Sequence, residues 1–167
     1  MDAYRAIVTK RDTRDFRPGP LAEDDLHKLL QAARMAGSAK NSQLNRIVVV
    51  TDPGVRARLA ACGTFAEWVA DVPAVFVFVA PADGNRPFDV GRMAQNIMVA
   101  AQDLGLASCP VTFHHQDCIH DVLGVPADHV AQMGVGVGHP TPAKEARPSA
   151  PRIPLDELVV WDHWPQT

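Results

Sequence analysis

Between Asp89 and Leu104 the chain carries Met93, Ile97, Met98, Ala101 and Leu104 at helical spacing, with Ala94 and Ala100 widening that stripe almost all the way round. A helix with so little polar surface must be covered on most of its circumference. The fold therefore has to set it among other elements, not on the outside. Gly105 follows as a residue suited to the left-handed turn that ends a helix.

The segments around it supply the cover. Asp2 caps a short helix to Thr9 with Tyr4, Ile7 and Val8 on one side. Leu21–Met35 reads as an amphipathic helix through Leu26, Leu29, Leu30 and Ala33, with Glu23, Asp24 and Asp25 in the first turn, where the macrodipole favours anions. Arg46–Thr51 and Ala74–Ala80 read as apolar strands, Pro53–Ala61 as a helix that starts on proline, Ala107–Phe113 and Val130–Gly138 as further strands, and Gln116–Leu123 as a helix. Interleaved strands and helices predict an α+β or α/β fold with a sheet between helices. The 167 residues fit one domain spanning 1–167, and residues 141–167 read as an extended C-terminal arm, because half of the fourteen prolines fall from Pro126 onward. Within the arm, Leu155–Trp161 is expected to add a strand to a sheet edge through Leu158, Val159 and Val160. Trp161 and Trp164 need cover, for which a second subunit is the expected source.

A net charge of −3 leaves no global field to attract nucleic acid or an anionic membrane. The greasiest run, Val72 to Ala80, is less than half the ~20 residues of a spanning helix. Cys62, Cys109 and Cys118 fit no paired framework, so reduced thiols and a cytoplasmic location are expected.

Three constellations can carry chemistry. Lys10-Arg11-Asp12-Thr13-Arg14 suits a phosphate, although a solvated basic turn has the same composition. An unpaired Asp12 carboxylate ~4 Å from a phosphate would cost on the order of 4 kcal/mol at an effective dielectric near 20, so Asp12 must point away or be neutralised by Arg11 or Arg14. Ser38-Ala39-Lys40-Asn41-Ser42-Gln43 offers donors and acceptors that suit the edge of a heterocycle, or it is an ordinary polar loop. Finally, Phe88 to Asn96 places small and polar residues in an otherwise apolar helix, which calls for a helix or a flat ligand at close approach.

In this order, with Pro110-Val111-Thr112-Phe113 and Gly136-Val137-Gly138-His139-Pro140 after them, these segments resemble the nitroreductase family of flavoproteins over nearly the whole chain. The resemblance implies an α+β, three-layer α/β/α fold with a central, mostly antiparallel sheet. It also implies a homodimer exchanging C-terminal arms, with FMN at each subunit interface and NAD(P)H as electron donor. Arg11 and Arg14 would meet the FMN phosphate with Lys10 and Asp12 beside them, and Arg152 would reach in from the arm, with Arg147 as the alternative. Asn41 and Gln43 would bond the ring edge or ribityl chain. Backbone N–H groups of Val111, Thr112 and Phe113 would face flavin N5 and O4. The implied activity is hydride transfer from NAD(P)H through flavin N5 to a flat small-molecule acceptor such as a nitroaromatic or quinone, with an FMN-storage protein as the alternative. No side chain need act as acid or base. The chain departs from the family at Asp12, where serine is frequent, at Leu44-Asn45, where Pro-Trp is frequent, and at Phe113, where glycine is frequent and a bulkier wall beside N5 is expected. The short Pro81–Pro87 connection stands where larger members insert a lid, which implies a more open site.

His114, His115, Cys118 and His120 match no closed zinc spacing, so no metal site is expected. Gly134, Gly136 and Gly138 alternate within a strand and read as points of close backbone packing, and Trp68 reads as core.

Overall fold

The computed structural model describes residues 2–84, 87–142 and 151–164. In chain order it contains α1 (Ala3–Thr9), β1 (Phe16–Arg17), α2 (Glu23–Arg34), β2 (Arg46–Val50), α3 (Pro53–Ala60), β3 (Ala74–Pro81), α4 (Pro87–Asp103), β4 (Ala107–Thr112), α5 (Gln116–Leu123), β5 (His129–Pro140) and α6 (Leu155–Leu158), with 3₁₀ turns at Ala39–Asn41 and Glu67–Ala70. The long strand β5 organises the sheet. It pairs with β3 along one side, and along the other with β4 and then β1, while β2 pairs with the far side of β3. Every ladder among the described strands is antiparallel.

Strand alternation creates the layers. Along β3, Ala74, Phe76 and Phe78 join a core with Leu29 and Ala33 of α2 and Val90, Ala94, Ile97 and Ala101 of α4. Val75, Val77 and Val79 face the opposite core with Leu59 of α3, Ile119 of α5 and Val69 of the second 3₁₀ turn. This is the expected three-layer arrangement, and fully buried side chains such as Phe76, Leu29 and Ile97 each stabilise it by roughly 1.5–3 kcal/mol. Asp2 and Asp52 cap α1 and α3 by accepting the Arg5 and Val55 N–H groups at 2.8 Å. Gly105 ends α4 at φ 72°, and Leu106 N–H returns to Ala101 O at 2.8 Å.

The alternating glycines of β5 are sites of close approach. A Cβ on Gly136 would lie 2.5 Å from the Trp68 ring, and one on Gly138 would lie 2.8 Å from the Phe16 ring. Phe16 and Trp68 in turn stand with ring centroids 6.0 Å apart. The basic segment thus leads straight into β1, because Phe16 has this cluster to join.

Two expectations are overturned. Cys62, after α3, and Cys118, in the first turn of α5, form a disulfide with Cα atoms 5.4 Å apart, so the thiols are not all reduced. Only Cys109 is free, and it is buried. The arm segment Leu155–Trp161 is not a strand: its first four residues form α6, Val159 is extended, and no described strand pairs with it. A lone segment has no ladder to join, so local helical bonding from Pro154 and Leu155 takes over. No described helix is long and apolar enough to cross a membrane.

Candidate functional site

Strand β4 carries one half of the site. Beyond Ser108 its outer side is open except for the basic segment, which crosses it where Asp12 bridges Ser108 and Thr13 N–H donates to Ser108 O at 3.2 Å. Alternate amides of a strand point to opposite sides. Phe113 N–H is directed at Gln132 O (2.8 Å), and Val111 N–H shares that side, which leaves Thr112 N–H on the open edge. The Phe113 ring is buried in the α3/α5 core, so it forms no wall beside a ligand. Of the three residues expected at this strand exit, Thr112 alone is both exposed and on the open edge. Thr112 lies four positions beyond Ser108, about 13 Å along the strand.

Within the basic segment, Lys10 Nζ bonds the Asp12 carboxylate and lies 3.1 Å from Met98 Sδ on α4. Asp12 is therefore neutralised by Lys10 and not by Arg11 or Arg14, because Lys10 is anchored over α4 within its reach. Arg11 turns back to the end of α1, donating to Val8 O at 2.9 Å and Lys10 O at 2.8 Å. Burial holds the Cys109 thiol above its ordinary pKa, outweighing the nearby Arg14 guanidinium, which favours the thiolate. Arg14 is thus the exposed cation of the segment not already bound to a carboxylate or to its own helix end.

The other half is the loop before β2. Lys40, Asn41 and Gln43 have φ of 54°, 52° and 49°, three of the four non-glycine residues with positive φ among those described. Such conformations cost roughly 1–2 kcal/mol each and persist where surrounding contacts impose them. Here the contacts are specific. Ala39 N–H donates to the buried Asp89 carboxylate at 3.1 Å, and Gln43 N–H donates to Ser38 Oγ at 3.0 Å. Ser42 Oγ is buried without a partner. Beside the loop lies a cleft of about 370 Å³, lined by Ser38, Gln43, Asn45, Asp89 and Met93 over the apolar side chains of α2 and β2. That volume is within the usual range of small-molecule pockets.

One chain does not bring the two halves together. The loop leads into β2, and β3 and β5 separate β2 from β4, three strand spacings or roughly 14 Å. Arg152 is exposed on the arm, and Arg147 lies outside the described residues.

Residues 7–82 and 63–139 match the profile described as Nitroreductase family. The chain belongs to the nitroreductase family. It is 27% identical to an NADH dehydrogenase of Thermus thermophilus, over 96% of each chain. It is 26% identical to an NADPH-flavin oxidoreductase of Vibrio harveyi, over 90% of this chain and 70% of that one. The structure of nitroreductase A from Vibrio parahaemolyticus superposes with a TM-score of 0.87 at 26% identity, covering all of this chain and 78% of the other.

In this chain, sequence reasoning missed Asp89 as the anchor of the loop, Ser42 as its orphaned hydroxyl and Met98 as the support under Lys10. A carboxylate in the first turn of a helix otherwise apolar nearly all round was the available signal for Asp89. Nothing in the spacing pointed to Met98. Two of the residues set aside as metal ligands have other engagements: His114 Nδ1 accepts the Thr64 N–H at 3.2 Å, and Cys118 is held by Cys62.

Proposed function

We propose that this chain is an FMN-dependent oxidoreductase that takes electrons from NAD(P)H and delivers them to a flat acceptor such as a nitroaromatic or a quinone. The observation that carries this reading is an open strand edge that the segment bearing the exposed Arg14 crosses at Ser108, with the Thr112 N–H on the same edge about 13 Å further along β4 from Ser108. This edge suits an elongated ligand with an anionic end and a flat, hydrogen-bonding head. The residues fit FMN: Arg14 and Arg152 offer guanidinium donors for a phosphate, and Thr112 N–H on the open edge of β4 suits the ring edge.

When bound, FMN supplies hydride acceptance and electron transfer. The chain supplies the rest. Lys10 offsets the Asp12 charge, so that carboxylate does not repel the phosphate. The strained loop offers Asn41 and Gln43 in one geometry, held by Asp89. Because β2 and β4 lie apart, the loop of a second copy completes the site, which makes the functional unit a homodimer. The arm supports this unit: Ile153, Leu155, Leu158, Trp161 and Trp164 are exposed, an apolar set that a second copy would cover. A cytoplasmic setting provides the nicotinamide donor. The relatives' names, NADH dehydrogenase and NADPH-flavin oxidoreductase, point to the same reaction.

The test is direct. Protein reconstituted with FMN and freed of excess should keep flavin absorbance, sediment as a dimer, and oxidise NADH or NADPH only when a quinone or nitroaromatic is present. A colourless monomer whose melting temperature ignores added FMN would end this reading.

A further inference from the structure

We propose that Cys62 and Cys118 form a reversible thiol–disulfide exchange site, reacting at Cys118 with a low-molecular-weight thiol, and that its state sets how firmly the exit of β4 is held. The two sulfurs are unequal in access: Cys62 is fully buried, whereas Cys118 is partly exposed in the first turn of α5, so an incoming thiol can reach only Cys118. Exchange therefore enters at Cys118. The attacking thiolate bonds to Cys118 Sγ, the disulfide breaks, and its electron pair leaves on Cys62 Sγ, which takes a proton. A second thiol then displaces Cys118, and the small molecule departs as its own disulfide, so two electrons pass to the protein.

What the disulfide clamps gives the exchange its consequence. His115 N–H donates to Cys62 O at 3.0 Å, Thr64 N–H donates to His114 Nδ1 at 3.2 Å, and Gln116 Nε2 donates to Phe113 O at 3.0 Å. Gly63 packs against the Thr112 carbonyl so closely that a Cβ there would lie 2.7 Å from it. The bond thus ties the end of α3 and residues 63–64 to the strand exit on which Thr112 stands, closing a loop of 56 residues. Opening it releases that constraint in the unfolded chain and loosens the backbone around Thr112 in the folded one. The link to flavin rests on the function proposed above; the exchange itself does not.

The full-length protein is equilibrated with glutathione and glutathione disulfide at a series of ratios, acid-quenched, and read by thiol counting and mass spectrometry. One free thiol, Cys109, is expected at the oxidising end and three at the reducing end. Cys62→Ala, which removes the resolving sulfur, should trap glutathione on Cys118. The reduced form should melt at least about 5 °C lower, and its FMN dissociation constant should be at least threefold higher. Three free thiols at the oxidising end, or equal melting temperatures and FMN affinities in both forms, would overturn the proposal. If neither form takes up FMN, the flavin reading falls, and the thiol count and melting temperatures decide the exchange site alone.

Discussion

The Asp89 carboxylate accepts the Ala39 N–H at 3.1 Å, joining the first turn of α4 to the strained loop that precedes β2. Both partners are needed to keep Lys40, Asn41 and Gln43 at positive φ, because nothing intrinsic to those side chains favours it strongly. Asp89→Ala should cost about 1–3 kcal/mol of stability and weaken FMN binding, while Asp89→Asn, which keeps an acceptor oxygen, should retain most of both. Thermal melts and flavin titrations check this; an alanine variant that binds FMN like the parent would detach the loop from the site.

Arg14 should carry more of the phosphate contact than Arg11, whose guanidinium is occupied at the end of α1. Arg14→Ala is expected to weaken FMN at least about tenfold, or ~1.4 kcal/mol, with a smaller loss for Arg11→Ala. Equal losses would place both guanidinium groups on the ligand.

Removing the arm from residue 141 onward should leave a monomer that no longer holds flavin, since in the proposed dimer the exposed Trp161 and Trp164 pack on a second copy. Sedimentation velocity with absorbance detection reads both properties at once. A truncated dimer would show that the helices alone hold the subunits together.

Gly136→Ala forces a methyl group to within 2.5 Å of the Trp68 ring, with Val72 behind it. Overpacking of this kind costs typically about 1–3 kcal/mol, so the melting temperature should fall by several degrees. Trp68→Leu in the same chain should recover part of the loss by making room, and no recovery would locate the strain elsewhere.

Burial, against the weaker pull of Arg14, raises the Cys109 thiol above its ordinary 9.0. In the interval between the unfolded and folded pKa values the unfolded chain binds fewer protons, so stability falls as pH rises. Its contribution is complete below about pH 9 and is lost as pH climbs through the folded value. Relative to Cys109→Ala, the parent should therefore lose melting temperature more steeply on the alkaline side. Parallel curves would mean that the thiol titrates alike in both states.

Hydrophobic period determined much of this protein without reference to any distant residue. The spacing of Met93, Ile97 and Ala101 makes α4 a buried helix, and the alternation along Ala74–Val79 assigns each side chain to one face of the sheet; both follow from the geometry of a single element. The order of the basic segment, the polar loop and the glycine-bearing strand was also enough to indicate the family. Pairings across the chain were another matter. That Lys10 rests on Met98, that Cys62 meets Cys118, that the Phe113 ring turns into the core while Thr112 N–H faces out, and that Asp89 holds Ala39 all depend on how loops of tens of residues close and in which register β4 joins β5. A side chain carries its preference for a partner but not the partner's address; packing of the three layers supplies that.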